Sequence, residues 1–339
     1  MGRKFRKKQE YRVRYGINLV LGIVCFFLVS CFSRETGSGN DKRTYRIGSN
    51  SNVKATQVIV ADEKGFFHDA GLSVDVTMET TALHLLDELY AGTYDFVCVP
   101  SFLVARDYLA GKSFRILAVM NRNQSRYVLM NPDHVENPAD FAGKSIGINP
   151  DGAAEFVLTR FLVLHGVNPA TVAIRYHAEE TLPEMLASGD VSAILTWPPY
   201  VQEARILMDG NILVTNAQMG VDIYWLLVTR EQISRNQGPD VIRLLRALDV
   251  ADAMIFEKPE EAKNLVSDRL SVSRELIDEE WNSFSFILEL PQSLLVVMEQ
   301  QGSWIALRDK REFNTAGLFS TINYHHLEAI FPEQVSIIR

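Results

Sequence analysis

From Tyr45 onward, short apolar runs alternate with segments whose apolar residues recur every three or four positions. Tyr45–Gly48, Leu72–Met78, Asp95–Val99 and Phe114–Val119 read as strands; 54–67, 82–91 and 101–110 read as helices. A second round follows, with strands at Ser145–Asn149, 172–176 and 192–196 and helices at 153–165, 181–188 and 199–208. This alternation predicts an α/β fold on largely parallel sheets. The two rounds echo each other. Ile47-Gly48-Ser49-Asn50 matches Ile146-Gly147-Ile148-Asn149, and Leu89–Phe96 parallels Leu186–Ala193. In both, a helix closes on glycine, which takes positive φ at little cost, and a strand follows. Beyond about 222 the pattern changes. Tyr224–Val228 reads as a buried strand, and helices are expected near 239–257, 259–269, 273–282, 291–304 and 321–331. This tail is expected to pack on the first of two similar lobes.

The start of the chain has another character. Seven basic residues and one acid fall in residues 1–30, and the uncharged run Gly16–Ser30 follows the charges. A positive head followed by a short apolar run is a secretory signal. Fifteen residues is short for a membrane span, which needs about 20. Leu28-Val29-Ser30-Cys31 resembles a bacterial lipobox, in which Cys31 becomes the lipidated first residue. The alternative is an uncleaved anchor. Either way the body is expected outside the cytoplasm, at the membrane. Residues 31–43 form a polar, Gly- and Ser-containing tether. Only Cys98 remains in the body, inside an apolar run, so it is expected in the core and no disulfide can form there.

Composition changes the picture in one respect. Hydrophobic residues at 47% and charged residues at 22% exclude disordered, collagen-like and coiled-coil classes. The net charge of −8 hides an asymmetry: residues 31–339, with 27 basic and 41 acidic residues, carry −14. An acidic body repels polyphosphate, so no nucleic-acid partner is expected.

Several short motifs then carry a resemblance. Ala61-Asp62-Glu63-Lys64-Gly65-Phe66-Phe67, continued by Gly71-Leu72, is similar to a segment of ABC-importer solute-binding proteins. The group is the nitrate/sulfonate/taurine class, which includes carriers of thiamine precursors. Gly92-Thr93-Tyr94-Asp95-Phe96, Asp140–Gly147, Gly189–Ala193 and Trp197-Pro198-Pro199-Tyr200 match its other motifs in order. The resemblance covers about 45–335. It implies a two-lobe periplasmic-binding-protein fold of the second type, with a hinge and a ligand cleft between the lobes. One lobe would be 45–130 plus 222–339, the other 131–221. It also implies the partners: a small-molecule ligand, an ABC permease with its ATPase, and the membrane through a lipid anchor, with the protein itself a monomer.

Ligands of open α/β sheets sit beyond the carboxyl ends of strands. That rule selects Ser49, Asn50 and Asn52 after the first strand, though the same run makes an ordinary turn. Ser101 follows the third strand and offers a hydroxyl at a helix start, or a simple cap. Asp151, Gly152 and Ala153 stand where anion-binding relatives usually carry Ser or Thr. The carboxylates Asp151 and Glu155 there disfavour an oxyanion and suit an amine or a nitrogen heterocycle, unless they only serve the helix dipole. Trp197 offers a flat face to a ring or cation. Asp222 and Tyr224 lie near the second crossing between lobes; of Tyr224 and Trp225, at most one faces the cleft.

No cofactor or metal site is expected. The seven His residues are scattered, and no nucleophile elbow, phosphate loop or dinucleotide fingerprint occurs. The expected function is capture of a nitrogen heterocycle, amine or sulfonate for import, not catalysis. The alternatives are an enzyme on the same fold acting on a pyrimidine-like substrate, and a ligand-sensing lipoprotein. Thiamine-precursor synthases of this fold share a cysteine-rich motif, and a body with one cysteine speaks against that chemistry.

Overall fold

A computed structural model describes residues 43–132, 137–150 and 152–338. The expected signal segment, Cys31, most of the expected tether and Asp151 lie outside the described residues. Among the described residues no helix is long and apolar enough to cross a membrane.

The strands are β1 (Thr44–Asn50), β2 (Ser73–Glu79), β3 (Phe96–Pro100), β4 (Arg115–Asn123), β5 (Val128–Pro132), β6 (Ser145–Ile148), β7 (Ala173–Tyr176), β8 (Ala193–Thr196), β9 (Ile212–Asn216), β10 (Ile223–Thr229) and β11 (Phe284–Glu289). They form two sheets, in the orders β11-β4-β10-β3-β1-β2 and β7-β6-β8-β5-β9. The second order repeats β2-β1-β3-β10-β4 position for position. In each sheet three parallel strands are followed by one antiparallel strand that arrives from the other lobe. β5 follows β4 through residues 124–127, and β10 follows β9 through 217–222. All seven residues of β10 are buried, which is why YWLLV reads as one apolar run.

The short sequence echo falls on equivalent elements, β1 with β6 and helix Ala82–Ala91 with helix Leu182–Ser188. Its glycines are sites of close approach. A Cβ on Gly48 would lie 2.6 Å from Leu85 Cδ2 and 2.8 Å from Tyr94 Cδ2; one on Gly147 would lie 3.0 Å from Leu182 Cδ2. Overpacking of this kind costs about 1–3 kcal/mol. Gly48→Ala is therefore expected to destabilise by that amount, and Gly147→Ala by less. Equal unfolding free energies for wild type and Gly48→Ala in denaturant titrations would refute this.

The motif aspartate Asp95 is structural. It is 2% exposed, and its carboxylate accepts from Arg43 Nη2 at 2.8 Å, Arg230 Nη2 at 3.0 Å and the Arg46 N–H at 3.1 Å. It ties the first strand to the loop after β10.

The structure departs from the sequence reading at several points. The sheets are mixed, not largely parallel. Val128–Met130 pair in the second sheet, so the first crossing lies before 128 and not at 131. The strands β5, β9 and β11 were not expected: β5 follows the first crossing directly, β9 is a partly exposed edge, and β11 alternates inside a helical tail. The helix expected over 54–67 breaks at Gly65, whose φ is 72°. The helix expected over 321–331 is helical only at His325–Glu328. The tail joins the first lobe by pairing β11 with β4.

One amide stitches the two crossings. Gln218, 1% exposed, accepts from the Tyr127 N–H at 2.9 Å and donates to the carbonyls of Asn123 and Val221, each at 2.9 Å. All of its strong hydrogen-bonding atoms are used inside the protein, which fixes the pair of connections that a hinge would turn about.

Candidate functional site

A cavity of about 520 Å³ lies between the lobes, beyond the carboxyl ends of β1, β3, β6 and β8. The first lobe supplies Asn50–Lys54, Thr80–Leu83, Pro100 and Phe102. The second supplies Asn149, Ala153, Phe156 and Trp197–Tyr200. Arg126 and Tyr127 of the first crossing complete the wall, with Trp225 of β10 and residues 270–280 of the tail. The helical tail therefore closes one side of the site as well as packing on the first lobe.

Three buried charges lie in this wall. Lys54, Arg126 and Glu280 are 7%, 8% and 8% exposed. Arg126 Nη1 stands 3.8 Å from Glu280 Oε2. Burial pushes the Glu280 carboxyl up from its ordinary range, and Arg126 and Lys54 pull it back. Both cations lie over aromatic faces: Arg126 Cζ at 4.6 Å from the Trp197 ring and 5.9 Å from the Trp225 ring, and Lys54 Nζ at 4.7 Å from Trp225. Tyr127 meets Trp197 edge to face at 5.3 Å. Such packing holds the cations in place while leaving part of their charge for a ligand.

Of the residues selected from sequence, Asn50, Asn52, Ala153 and Trp197 line this cavity. Asn52 also caps the turn before Lys54, accepting from the Lys54 N–H at 3.2 Å. The other selected residues are placed elsewhere. Ser49 is 1% exposed and faces Cys98, whose thiol burial pushes up to about 12. Tyr224 is 0% exposed; its hydroxyl donates to Asp222 Oδ2 at 2.9 Å and pairs with Ser293 Oγ at 2.8 Å. Asp222 itself accepts from Arg122 Nη1 at 3.3 Å. Strand alternation turns Trp225, not Tyr224, toward the cavity. Ser101 is fully buried between the lining residues Pro100 and Phe102, and its Oγ has no hydrogen-bond partner among the described residues. It is not a cap; Pro100 holds that position.

Gly152 serves contact between the lobes. A Cβ there would lie 2.8 Å from Phe102 Cε1. Beside it, Phe156 of the second lobe packs on Phe102 at 6.1 Å and Trp304 at 5.9 Å, both of the first. Glu155 is drawn into the same seam. Its Oε2 lies 3.8 Å from Arg308 Nη1, and Tyr176 hydrogen-bonds to it. Glu155 is thus engaged by a cation across the lobe boundary and is not among the residues lining the cavity. The expectation that it repels a bound anion is corrected.

Lys54, Arg126 and Glu280 were missed. The polar run Asn121–Arg126 between two strands was the available signal, since it marks a crossing. Nothing local marks Glu280, which reaches the cleft only because the tail folds back.

Comparison with known proteins agrees with this architecture. The chain is 22% identical over 298 residues to a protein of Bacillus subtilis (strain 168) named for binding aliphatic sulfonates, covering 86% of this chain and 90% of that one. The periplasmic aliphatic sulphonate binding protein SsuA from Escherichia coli superposes with a TM-score of 0.69 at 14% identity, over 79% of this chain and 88% of that one. The alkanesulfonate-binding protein SsuA from Xanthomonas axonopodis pv. citri, bound to MOPS, gives 0.65 at 14% identity, over 83% and 98%. The fold is that of the two-lobe periplasmic binding proteins. The description "NMT1/THI5 like" matches residues 52–262, which take in both sheets and the crossings between them, and by that match the chain belongs to the NMT1/THI5-like family.

Proposed function

We propose that the protein is the extracytoplasmic solute-binding component of an ABC importer, capturing a small organic ligand by lobe closure and delivering it to a membrane permease. The observation that carries this reading is the cavity between the strand ends of two lobes joined by two short crossings. Hinge closure over a ligand is the motion such an architecture permits. The names of the relatives support it, as does the resemblance of Leu28-Val29-Ser30-Cys31 to a lipobox, in which Cys31 would be the lipid anchor. Intact-mass measurement of the mature N-terminus tests the anchor; an uncleaved terminus would overturn it.

Among the expected ligand classes the sulfonate is now favoured over the amine. Two buried cations face the cavity, and of the two carboxylates on which the amine reading leaned, Glu155 is paired with Arg308, while Asp151 lies outside the described residues. A ligand bound one-to-one raises the melting temperature by linkage. Thermal shift over a panel of sulfonates, amines, pyrimidines and flavins tests capture, and no shift with any of them would sink it. Closure has its own test. The seam at Phe102, Phe156 and Trp304 would be broken on opening. Phe156→Ala is therefore expected to give a larger radius of gyration by small-angle scattering and weaker ligand binding. Arg308→Ala, which loses a partly exposed ion pair worth about 0–1 kcal/mol and a cation–π contact 4.9 Å from the Trp304 ring but leaves the three rings of the seam in place, should change both less. The reverse ranking would count against the seam as the closing contact.

A further inference from the structure

We infer that the corner formed by residues 270–277 of the tail is a size-selecting apolar subsite: it takes the extended non-polar body, alkyl or aryl, of a ligand whose polar head sits at Arg126. The inference rests on the capture reading above and assigns what that same cavity selects beyond the head group.

Local rules build the corner and hold it still. Helix Pro259–Leu270 ends on Ser271, whose φ of 54° turns the chain back. Ser267 Oγ donates to the Val272 carbonyl at 2.7 Å. Ser273 then caps helix Arg274–Trp281, its hydroxyl accepting from the Leu276 N–H at 3.3 Å. Polar contacts tie the two helices together: Arg274 Nη1 donates to Asn264 Oδ1 at 2.6 Å, and Lys263 Nζ stands 2.9 Å from Asp278 Oδ1. A wall fixed in this way loses little freedom when a ligand settles on it.

Toward the cavity the corner presents Leu270, Val272, Leu276 and Ile277. Ile277 belongs to the core at 1% exposed, whereas Leu270, Val272 and Leu276 are only half-buried. Covering their remaining apolar surface is the gain a non-polar ligand body makes there. Spacing links this corner to the charged one. Leu276 and Glu280 lie four positions apart on one helix face, about one turn from each other, and Glu280 stands 3.8 Å from Arg126. A head group held at Arg126 therefore meets Leu276 only through a body several atoms long. The volume agrees, since 520 Å³ falls within the range of about 300–1,000 Å³ that encloses drug-sized ligands. A two-carbon solute would leave the corner uncovered.

The test uses two series of rising length: ethane-, butane- and hexanesulfonate, and ethyl-, butyl- and hexylamine. Each probe is titrated calorimetrically into the whole mature chain. Affinity for the sulfonates should rise about fourfold with each added methylene. Leu276→Ser should weaken hexanesulfonate by about tenfold and ethanesulfonate by less than about twofold, whereas a general disturbance of the fold would weaken both alike. Leu307→Ser, at an exposed position that does not line the cavity, should leave the series unchanged. Affinity independent of chain length in the wild type overturns the inference and leaves capture standing. Equal losses for the short and the long probe in a folded Leu276→Ser protein also overturn it. A rise with length among the amines alone keeps the apolar corner and removes the preference for a sulfonate. Failure of both series overturns the corner, and capture falls with it only when the wider panel also gives no shift. Should Leu276→Ser not fold, Val272→Ser is read in the same way.

Discussion

Arg126→Ala is expected to lower the stability of the unliganded protein by about 3–5 kcal/mol, the usual cost of removing one partner from a buried ion pair, and to abolish binding of an anionic ligand. Arg126 is 8% exposed and stands 3.8 Å from Glu280. Its loss leaves the Glu280 carboxylate with Lys54 as its remaining cation in the cavity wall. That second cation puts the expected cost near the lower end. The guanidinium also covers the Trp197 ring at 4.6 Å, so part of the loss is packing rather than charge. Adding Glu280→Ala should recover part of the stability, because the stranded charge goes with it. A double-mutant cycle by denaturant unfolding measures this coupling. Additive losses would show that the two side chains do not act as a pair. The deficit of Arg126→Ala should also shrink as the pH falls, since burial already pushes the Glu280 carboxyl up and protonation relieves the stranded charge.

The second large effect lies away from the cleft. Burial pushes the Asp252 carboxyl up to about 8, with Gln57 and the Leu288 N–H pulling the other way. Asp252 Oδ2 accepts from the Leu288 N–H at 2.7 Å, at β11, and Oδ1 is buried without a hydrogen-bond partner among the described residues. The folded protein therefore keeps a proton that the unfolded chain releases above about pH 4. The native state binds more protons than the unfolded state between about pH 4 and about 8, so this group's contribution falls as pH rises through that window. Asp252→Asn stays neutral and can still accept from Leu288. It is expected to flatten this part of the melting-temperature profile, with a melting temperature above that of the wild type near pH 8. A variant whose profile runs parallel to wild type from pH 4 to 8 would show that Asp252 is ionised in the folded protein.

Much of the fold was legible because its signals are local. Period-two and helical spacing located most strands and helices, and Gly92 and Gly189 marked the ends of equivalent helices at φ 86° and 81°. Strand-end positions placed Asn50, Asn52, Ala153 and Trp197 on the cavity wall because an open α/β sheet presents its carboxyl ends to a cleft. Ser49, selected by the same rule, and Tyr224, selected for its place near a crossing, are buried away from the cavity wall. Position along a strand does not say which face meets the cleft; that depends on what packs behind it, here Cys98 and Ser293.

By itself the sequence determined an acidic body of two similar α/β lobes, since apolar periodicity, glycine stops and charge segregation are properties of neighbouring residues. It could not show that β5 and β10 are exchanged between lobes, because strand order is a matter of pairing between distant segments. Nor could it show that Glu155 turns to Arg308 while Glu280, more than 150 positions from Arg126 in the chain, turns to the cavity. Whether a carboxylate repels a ligand or balances a neighbouring cation depends on distance and burial. Only the folding of the tail back over the cleft set both.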